Sequence, residues 1–205
     1  MVIVCGHGAR SIRRHLAQDT AGMVVQVVYN PFYAIADNLV SLWIARAEFD
    51  DDLMLLNGDA VLHPRAYEML ASDASACSLL LARKQHLAAD DMKVCLEGAA
   101  LKAIGKDLAP AHTDGVAIGA TRFRGPAVAE LRQELDRIVH EAGSLGQHFP
   151  LVVQRMVERG RHVHALDMGD LPWADVDTPA DLEDVRTRFG VFLEGADPTP
   201  EPPGT

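Results

Sequence analysis

Positive charge is in short supply: 19 Lys and Arg stand against 29 Asp and Glu in 205 residues, for a formal net charge of −10. That balance excludes nucleic acid as a partner, because a phosphate backbone needs clustered cations. Small anionic ligands stay within reach, since a few local cations and backbone amides can hold a phosphate whatever the net charge. Cysteine is scarce as well. Cys5, Cys77 and Cys95 are an odd set with no C-x-x-C spacing, which excludes a disulfide framework and suits buried thiols in a reducing compartment. No apolar run approaches the ~18 residues of a membrane span. The opening MVIVCG is too short for a signal-peptide core and has no basic flank. The expectation is a cytoplasmic protein with no membrane contact. G-x-S-x-G, H-E-x-x-H and Walker A patterns are all missing.

What is there is a chain that is 48% apolar and long enough to bury a substantial core. Short apolar runs suit strands at Val24–Val28, Leu53–Leu56, Ser78–Ala82, Lys93–Leu96, Val116–Phe123 and His162–Leu166. Helix patterns lie between several of them. Ile12 and Leu16 share one face after the first strand, and Leu39, Leu42 and Trp43 follow a cap at Asp37-Asn38. Pro126 opens a helix with Val128, Leu131, Leu135, Ile138 and Val139 on its apolar face. Near the end Thr178 caps, Pro179 takes the first helical position and Asp181 completes a capping box, with Leu182, Val185 and Phe189 on the buried face. Strand–helix alternation predicts an α/β fold: a mixed, mostly parallel sheet with helices on both faces. The segment from Met92 to Gly119 reads as consecutive strands and turns, so part of the sheet is expected to be antiparallel. The chain divides into a single domain, 1–192, and a disordered tail, 193–205, where ADPTPEPPGT offers nothing to bury.

Four stretches could carry chemistry. In LMLLNGDAVLHP a buried strand ends at Asn57-Gly58-Asp59, where open α/β sheets bind ligands and where an acid can hold a hard cation; N-G and G-D are also ordinary turn dipeptides. In DLPWADVDTPADL, Asp175 and Asp177 flank Val176 and point to opposite sides if extended. Asp177, directly before the helix cap, is the better candidate, and Asp175 reads as an acid favouring the helix N-terminus. In VVYNPFYAIADNLVSLW, polar Asn30, Tyr33, Asn38 and Ser41 are ligand contacts or turn and capping residues. Lys93, Lys102 and Lys106, with Arg83 and Lys84 upstream, are the cations from which a phosphate cleft would draw one or two. His162-Val163-His164 places two imidazoles on one strand face, but a third zinc ligand at recognisable spacing is missing.

Taken in order, VVYNPFYAIADNLVSLW, LLNGDAVLHP, DDMKVCLEGAALKAIGKDL, DGVAIGATRF and PWADVDTPADL resemble the sugar-phosphate-type nucleotidyltransferases, in particular the choline-phosphate, inositol-phosphate and phosphonate cytidylyltransferase branch. The resemblance implies a Rossmann-like nucleotidyltransferase fold. It also implies transfer of a nucleotidyl group from an NTP, with CTP favoured, to a phosphorylated or phosphonate acceptor, with release of pyrophosphate and dependence on Mg²⁺. Asp59 matches the first metal-binding aspartate of that family and Asp177 the second. Lys106 matches a lysine of the I-G-K segment, and Asn38 and Ser41 match the N-x-x-S-L helix start facing the cleft. Asn57, Gly58, Gly119 and, more loosely, Lys84 join them as substrate contacts.

Two departures stand out. Gly115-Val116-Ala117-Ile118-Gly119 occupies the place of G-E-x-I-G, without its acid. The opening MVIVCGHGARSIRRHL has the layout of a phosphate-binding turn, yet Ser11 replaces the last glycine of G-x-G-x-x-G, and no acid closes a strand some 20 residues on. It resembles the family's second strand and helix instead, so Gly6 and Gly8 read as a strand-to-helix turn. The resemblance then implies a start one strand late, N-terminally truncated relative to the family and without its glycine-rich G-x-G-x-R loop, and weak turnover for this chain. The alternatives are a non-catalytic relative that keeps the fold as a binding or regulatory module, and an ordinary Rossmann-type nucleotide binder. A homo-oligomer stays open.

Overall fold

The computed structural model describes residues 1–193; the expected tail lies outside the described residues apart from its first position. The chain begins as a parallel pair, β1 (Val2–Cys5) and β2 (Gln26–Tyr29), joined through α1 (Ala9–Leu16). Gly6 and Gly8 form the expected turn into α1. Gly8 adopts a left-handed φ of 67°, and a Cβ on Gly6 would fall 2.0 Å from the Tyr33 Cβ, so glycine is required there by close approach rather than by a phosphate. Ile12 and Leu16 are half-buried, and Ala9 is the one fully buried residue of α1. The chain returns through α2 (Asn38–Ile44) and a 3₁₀ turn (Ala45–Glu48), both packed against β1.

β3 (Asp52–Leu56) then enters the main sheet. β4 (Ala60–Leu62), α3 (Pro64–Ser72), β5 (Cys77–Ala82), β6 (Lys93–Glu97), β7 (Ala100–Gly105), β8 (Gly115–Arg124), α4 (Pro126–Ile138), α5 (Pro150–Glu158), β9 (His164–Asp167), β10 (Trp173–Asp175) and α6 (Pro179–Leu193) follow. The strand order is β3-β8-β5-β9-β7-β6. β6 also pairs with β8 through Lys93–Val116 and Val94–Gly115, so that β8, β5, β9, β7 and β6 close on themselves. The expected mostly parallel sheet is corrected here. Within this sheet only β5 and β9 run parallel, and every other pairing is antiparallel. Part of the reason is connectivity: β6 and β7 are joined by a short turn at Gly98-Ala99, and strands joined that way must run antiparallel. β8 then inserts between β3 and β5, separating strands that would otherwise pair in parallel.

β5 shows why this strand reads as a continuous apolar run. Cys77, Leu79 and Leu81 enter one core with α2, α4 and α5, while Leu80 and Ala82 enter a second core with Ala66 and Leu70 of α3. Helices therefore cover both faces, as alternation demanded. Burial pushes the Cys77 thiol up to about 12, which makes it an unreactive core residue. In α6, Val185 and Phe189 are buried, whereas Leu182 is 39% exposed. His164 forms a 2.8 Å contact with Asp73, a use for the His162–His164 strand other than metal binding. Among the described residues no helix is long and apolar enough to cross a membrane.

Candidate active site

At the C-terminal end of β3 the chain turns under the control of β8. The Asn57 N–H donates to the Gly119 carbonyl at 2.8 Å. Gly119 has φ 71°, and a Cβ there would meet the Asn57 amide at 2.7 Å; glycine lets β8 kink where its register with β5 shifts. Asp59 follows and leads into β4. β4 pairs antiparallel with β10, with Ala60 opposite Asp175, and the Val176 N–H donates to the Asp59 carbonyl at 2.9 Å. This two-stranded ribbon brings the acids of two distant sequence segments to one mouth.

Asp177 sits just before the capping box. The Thr178 N–H and Oγ1 each donate to Asp181 Oδ2 at 2.7 Å, and the Asp181 N–H returns to Thr178 Oγ1 at 3.2 Å. Those bonds hold the Asp181 carboxyl below the usual carboxylate range. Asp175 moves the other way. Desolvation, reinforced by the negative charges of Asp59 and Asp177, pushes its carboxyl above that range. Alternation set Asp175 aside, but β10 ends at that residue, so strict alternation does not carry on to Asp177, and both acids line the same cleft.

The mouth opens on a cleft of about 370 Å³ lined by, among others, Asp37, Asn38, Asn57, Asp59, Asp91, Lys106, Gly119, His148, Phe149, Trp173, Asp175 and Asp177. The sequence therefore found Asn38, Asn57, Asp59, Lys106, Gly119 and Asp177 on one lining. Ser41 is placed differently: its hydroxyl accepts from the amide of Asn30, which is 1% exposed, at 3.0 Å. Gly58 forms the turn before Asp59 and is not on the lining. Lys84 stands behind the lining, bonded to Asp91 at 2.6 Å with its ammonium 5.2 Å from the Trp173 ring centroid.

The other lysines differ in use. Lys93 is 5% exposed, and its ammonium donates to the carbonyls of Lys106 at 2.6 Å and Ala89 at 3.2 Å, tying two segments of the lining together. Lys102 is exposed and paired with Glu97. Lys106 Nζ lies 3.0 Å from His148 Nε2, and His148 Nδ1 lies 2.9 Å from Asp37 Oδ1. The same Asp37 oxygen caps α2 through the Asn38 N–H at 2.7 Å, and Asn38 Oδ1 accepts from the Phe149 N–H at 2.8 Å. The start of α2, the end of β7 and the start of α5 are thus stitched together around the cleft. Asp175 was ranked below Asp177, while His148 and Lys93's structural role were missed in the sequence, and nothing periodic in GQHFP links His148 to Lys106.

A second cavity, of about 330 Å³, lies between α4 and α5. Its charges are already paired, Glu130 with Arg161 and Glu134 with Arg137 and Arg159.

A hard divalent cation fits the mouth chemically. The donors are oxygen, and among the described residues neither Asp59 nor Asp177 is in an ion pair with a basic side chain. No group of three or more His, Cys, Asp or Glu side chains among the described residues forms a protein-only cage. Mg²⁺ commonly takes one or two carboxylates and completes its shell with waters and substrate phosphates.

No family model matches the chain. It is 28% identical over 199 residues to the CMP-5'-(3-aminopropyl)phosphonate synthase of Streptomyces rubellomurinus, covering 92% of this chain and 31% of that protein. The chain thus spans about a third of the length of the curated relative it matches. The inositol-1-phosphate CTP transferase of T. maritima superposes with a TM-score of 0.75 at 21% identity, over 95% of this chain and 77% of the other. The CTP:phosphocholine cytidylyltransferase of Streptococcus pneumoniae does so with a TM-score of 0.71 at 14% identity, over 92% and 78%. In fold the chain is nucleotidyltransferase-like, since the solved structures it resembles are a CTP transferase and a cytidylyltransferase.

Proposed function

We propose that the cleft transfers a cytidylyl group from CTP to a small phosphonate or phosphate acceptor. The observation that carries this reading is the β4–β10 ribbon, which brings Asp59, Asp175 and Asp177 to the mouth of a cleft that also contains Lys106. An acceptor oxygen would attack the α-phosphorus of CTP, forming one P–O bond while the bond to the bridging oxygen breaks and pyrophosphate leaves. A phosphonate or phosphate is already ionised near neutral pH, so the chain need not supply a strong base. Positioning and electrostatics are its contribution. Asp59 and Asp177 would hold Mg²⁺, which supplies charge neutralisation on the triphosphate. Lys106 would bind and orient phosphate oxygens. Asn38, Asn57 and Gly119 would shape the nucleotide-side lining. The relative that matches across most of the chain favours a phosphonate acceptor with an amino group; the acidic mouth, to which Asp90 and Asp91 also contribute, suits a cationic substituent.

The test is pyrophosphate release from CTP and Mg²⁺ with 3-aminopropylphosphonate, phosphocholine or inositol 1-phosphate, beside calorimetric CTP binding. Turnover should require the metal ion and fall about 10³-fold in Asp59→Ala and in Asp177→Ala, the scale on which a key electrostatic group acts. A chain that neither binds CTP nor releases pyrophosphate overturns the proposal.

A further inference from the structure

Among the described residues Lys106 is the lysine on the cleft lining, and its ammonium lies against the His148 ring. An ammonium has donors only, so the 3.0 Å contact requires His148 Nε2 to be an acceptor. The ring proton must then sit on Nδ1, where the Asp37 carboxylate lies 2.9 Å away to accept it. Asp37 is itself fixed, since the same oxygen caps α2. Geometry and donor chemistry therefore agree on one arrangement: Asp37 accepts from His148, and His148 accepts from Lys106.

We infer that Asp37 and His148 are positioning residues that hold the Lys106 ammonium ready for an incoming phosphoryl group. A flexible lysine loses rotamer freedom when it grips a ligand. Here much of that cost is met on folding, because the ring and its carboxylate already fix the side chain. The partner is also well chosen in charge. A carboxylate in direct contact would cancel the lysine's field, whereas a neutral imidazole orients it and sets the Asp37 charge one ring further away, where Coulomb attraction is weaker. The ligand class is a nucleoside triphosphate, so the functional half of the inference rests on the cytidylyl-transfer reading.

Two measurements separate the failures. Nitrogen-15 histidine spectra of the unmodified chain at pH 8 should show His148 protonated at Nδ1. An Nε2–H ring overturns the arrangement whether or not the chain binds CTP. CTP titrations with Mg²⁺ then test the role. His148→Leu should weaken binding about tenfold, the scale of one hydrogen bond to a charged group. His148→Gln, whose amide oxygen can accept from Lys106, should recover most of the loss. Lys106→Ala should lose at least as much, and His148→Leu added to it should cost nothing more. Additive losses, or a Gln variant as poor as Leu, overturn the positioning role. If the wild-type chain binds no CTP, the cytidylyl-transfer reading and this role fall together, and the tautomer still decides the arrangement.

Discussion

Two lysines border the cleft, and opposite kinds of partner hold them. Lys84 donates to the Asp91 carboxylate at 2.6 Å and lies over the Trp173 ring. Burial raises the Asp91 carboxyl, but bonds from Lys84 and the Ala88 N–H outweigh it and leave Asp91 below the usual range. That lysine is committed: its charge holds the 84–91 loop closed. Lys106 leans on a neutral ring instead. The difference teaches that proximity to a cleft does not make a lysine a ligand; the charge of its first partner decides what remains for a guest.

The comparison can be sharpened first at its widest point. Lys106→Ala should lower CTP affinity or turnover about 10²-fold, whereas Lys84→Ala should change either by no more than about threefold. Equal losses in the two variants would erase the distinction. The same logic extends to stability. Arg122 is 8% exposed and bonds Asp52 at 2.6 and 2.8 Å, while also donating to the Leu70 carbonyl at 3.1 Å. Asp52→Ala strands that guanidinium and should cost about 1–3 kcal/mol in denaturant unfolding, discounted because Asp52 itself is half-exposed. Asp167→Ala, opposite the exposed Arg83, should cost under about 1 kcal/mol.

The direction with pH follows. The hydrogen bond from Arg122 holds the folded Asp52 carboxyl below its ordinary value of 3.8. Its contribution is present above the unfolded value and is lost as pH falls through the lower, folded one. Wild type should therefore shed stability below about pH 4, and Asp52→Ala should show a shallower acid limb. The smallest effect would break the lysine comparison from the other side. Asp91→Asn keeps an acceptor for the Ala88 N–H but removes the negative charge that faces Lys84. Pyrophosphate affinity should then rise about threefold, the worth of one unscreened surface charge; no rise would mean that Lys84 is out of reach of the ligand.

What could be read from the sequence was local. The strand before Asn57-Gly58-Asp59, the Asp37 cap and the Thr178–Asp181 box each depend on residues within a few positions of one another, and all three are present. Asp59, Asp177 and Lys106 were placed by resemblance, and they do share one lining. Long-range pairings were hidden. The antiparallel insertion of β8 depends on which strand edges are open after β5 and β6 have formed, and no periodicity encodes that. Ser41 was a candidate contact through its match to the N-x-x-S-L helix start; its hydroxyl accepts from buried Asn30, whose amide needs an acceptor. His148 lies in a short irregular stretch, and only the folded chain brings it to Lys106.

The β4–β10 ribbon also sets an order of assembly. Ala60–Leu62 finds Trp173–Asp175 only after most of the chain has been made. The first core, by contrast, draws on α2, β3, β5 and α4, which all precede β10 in the chain. The acidic mouth thus needs both strands of the ribbon, and a chain ended before β10 carries Asp59 without Asp175 and Asp177. Protection of the Val176 amide, which bonds the Asp59 carbonyl, reports when that ribbon has closed.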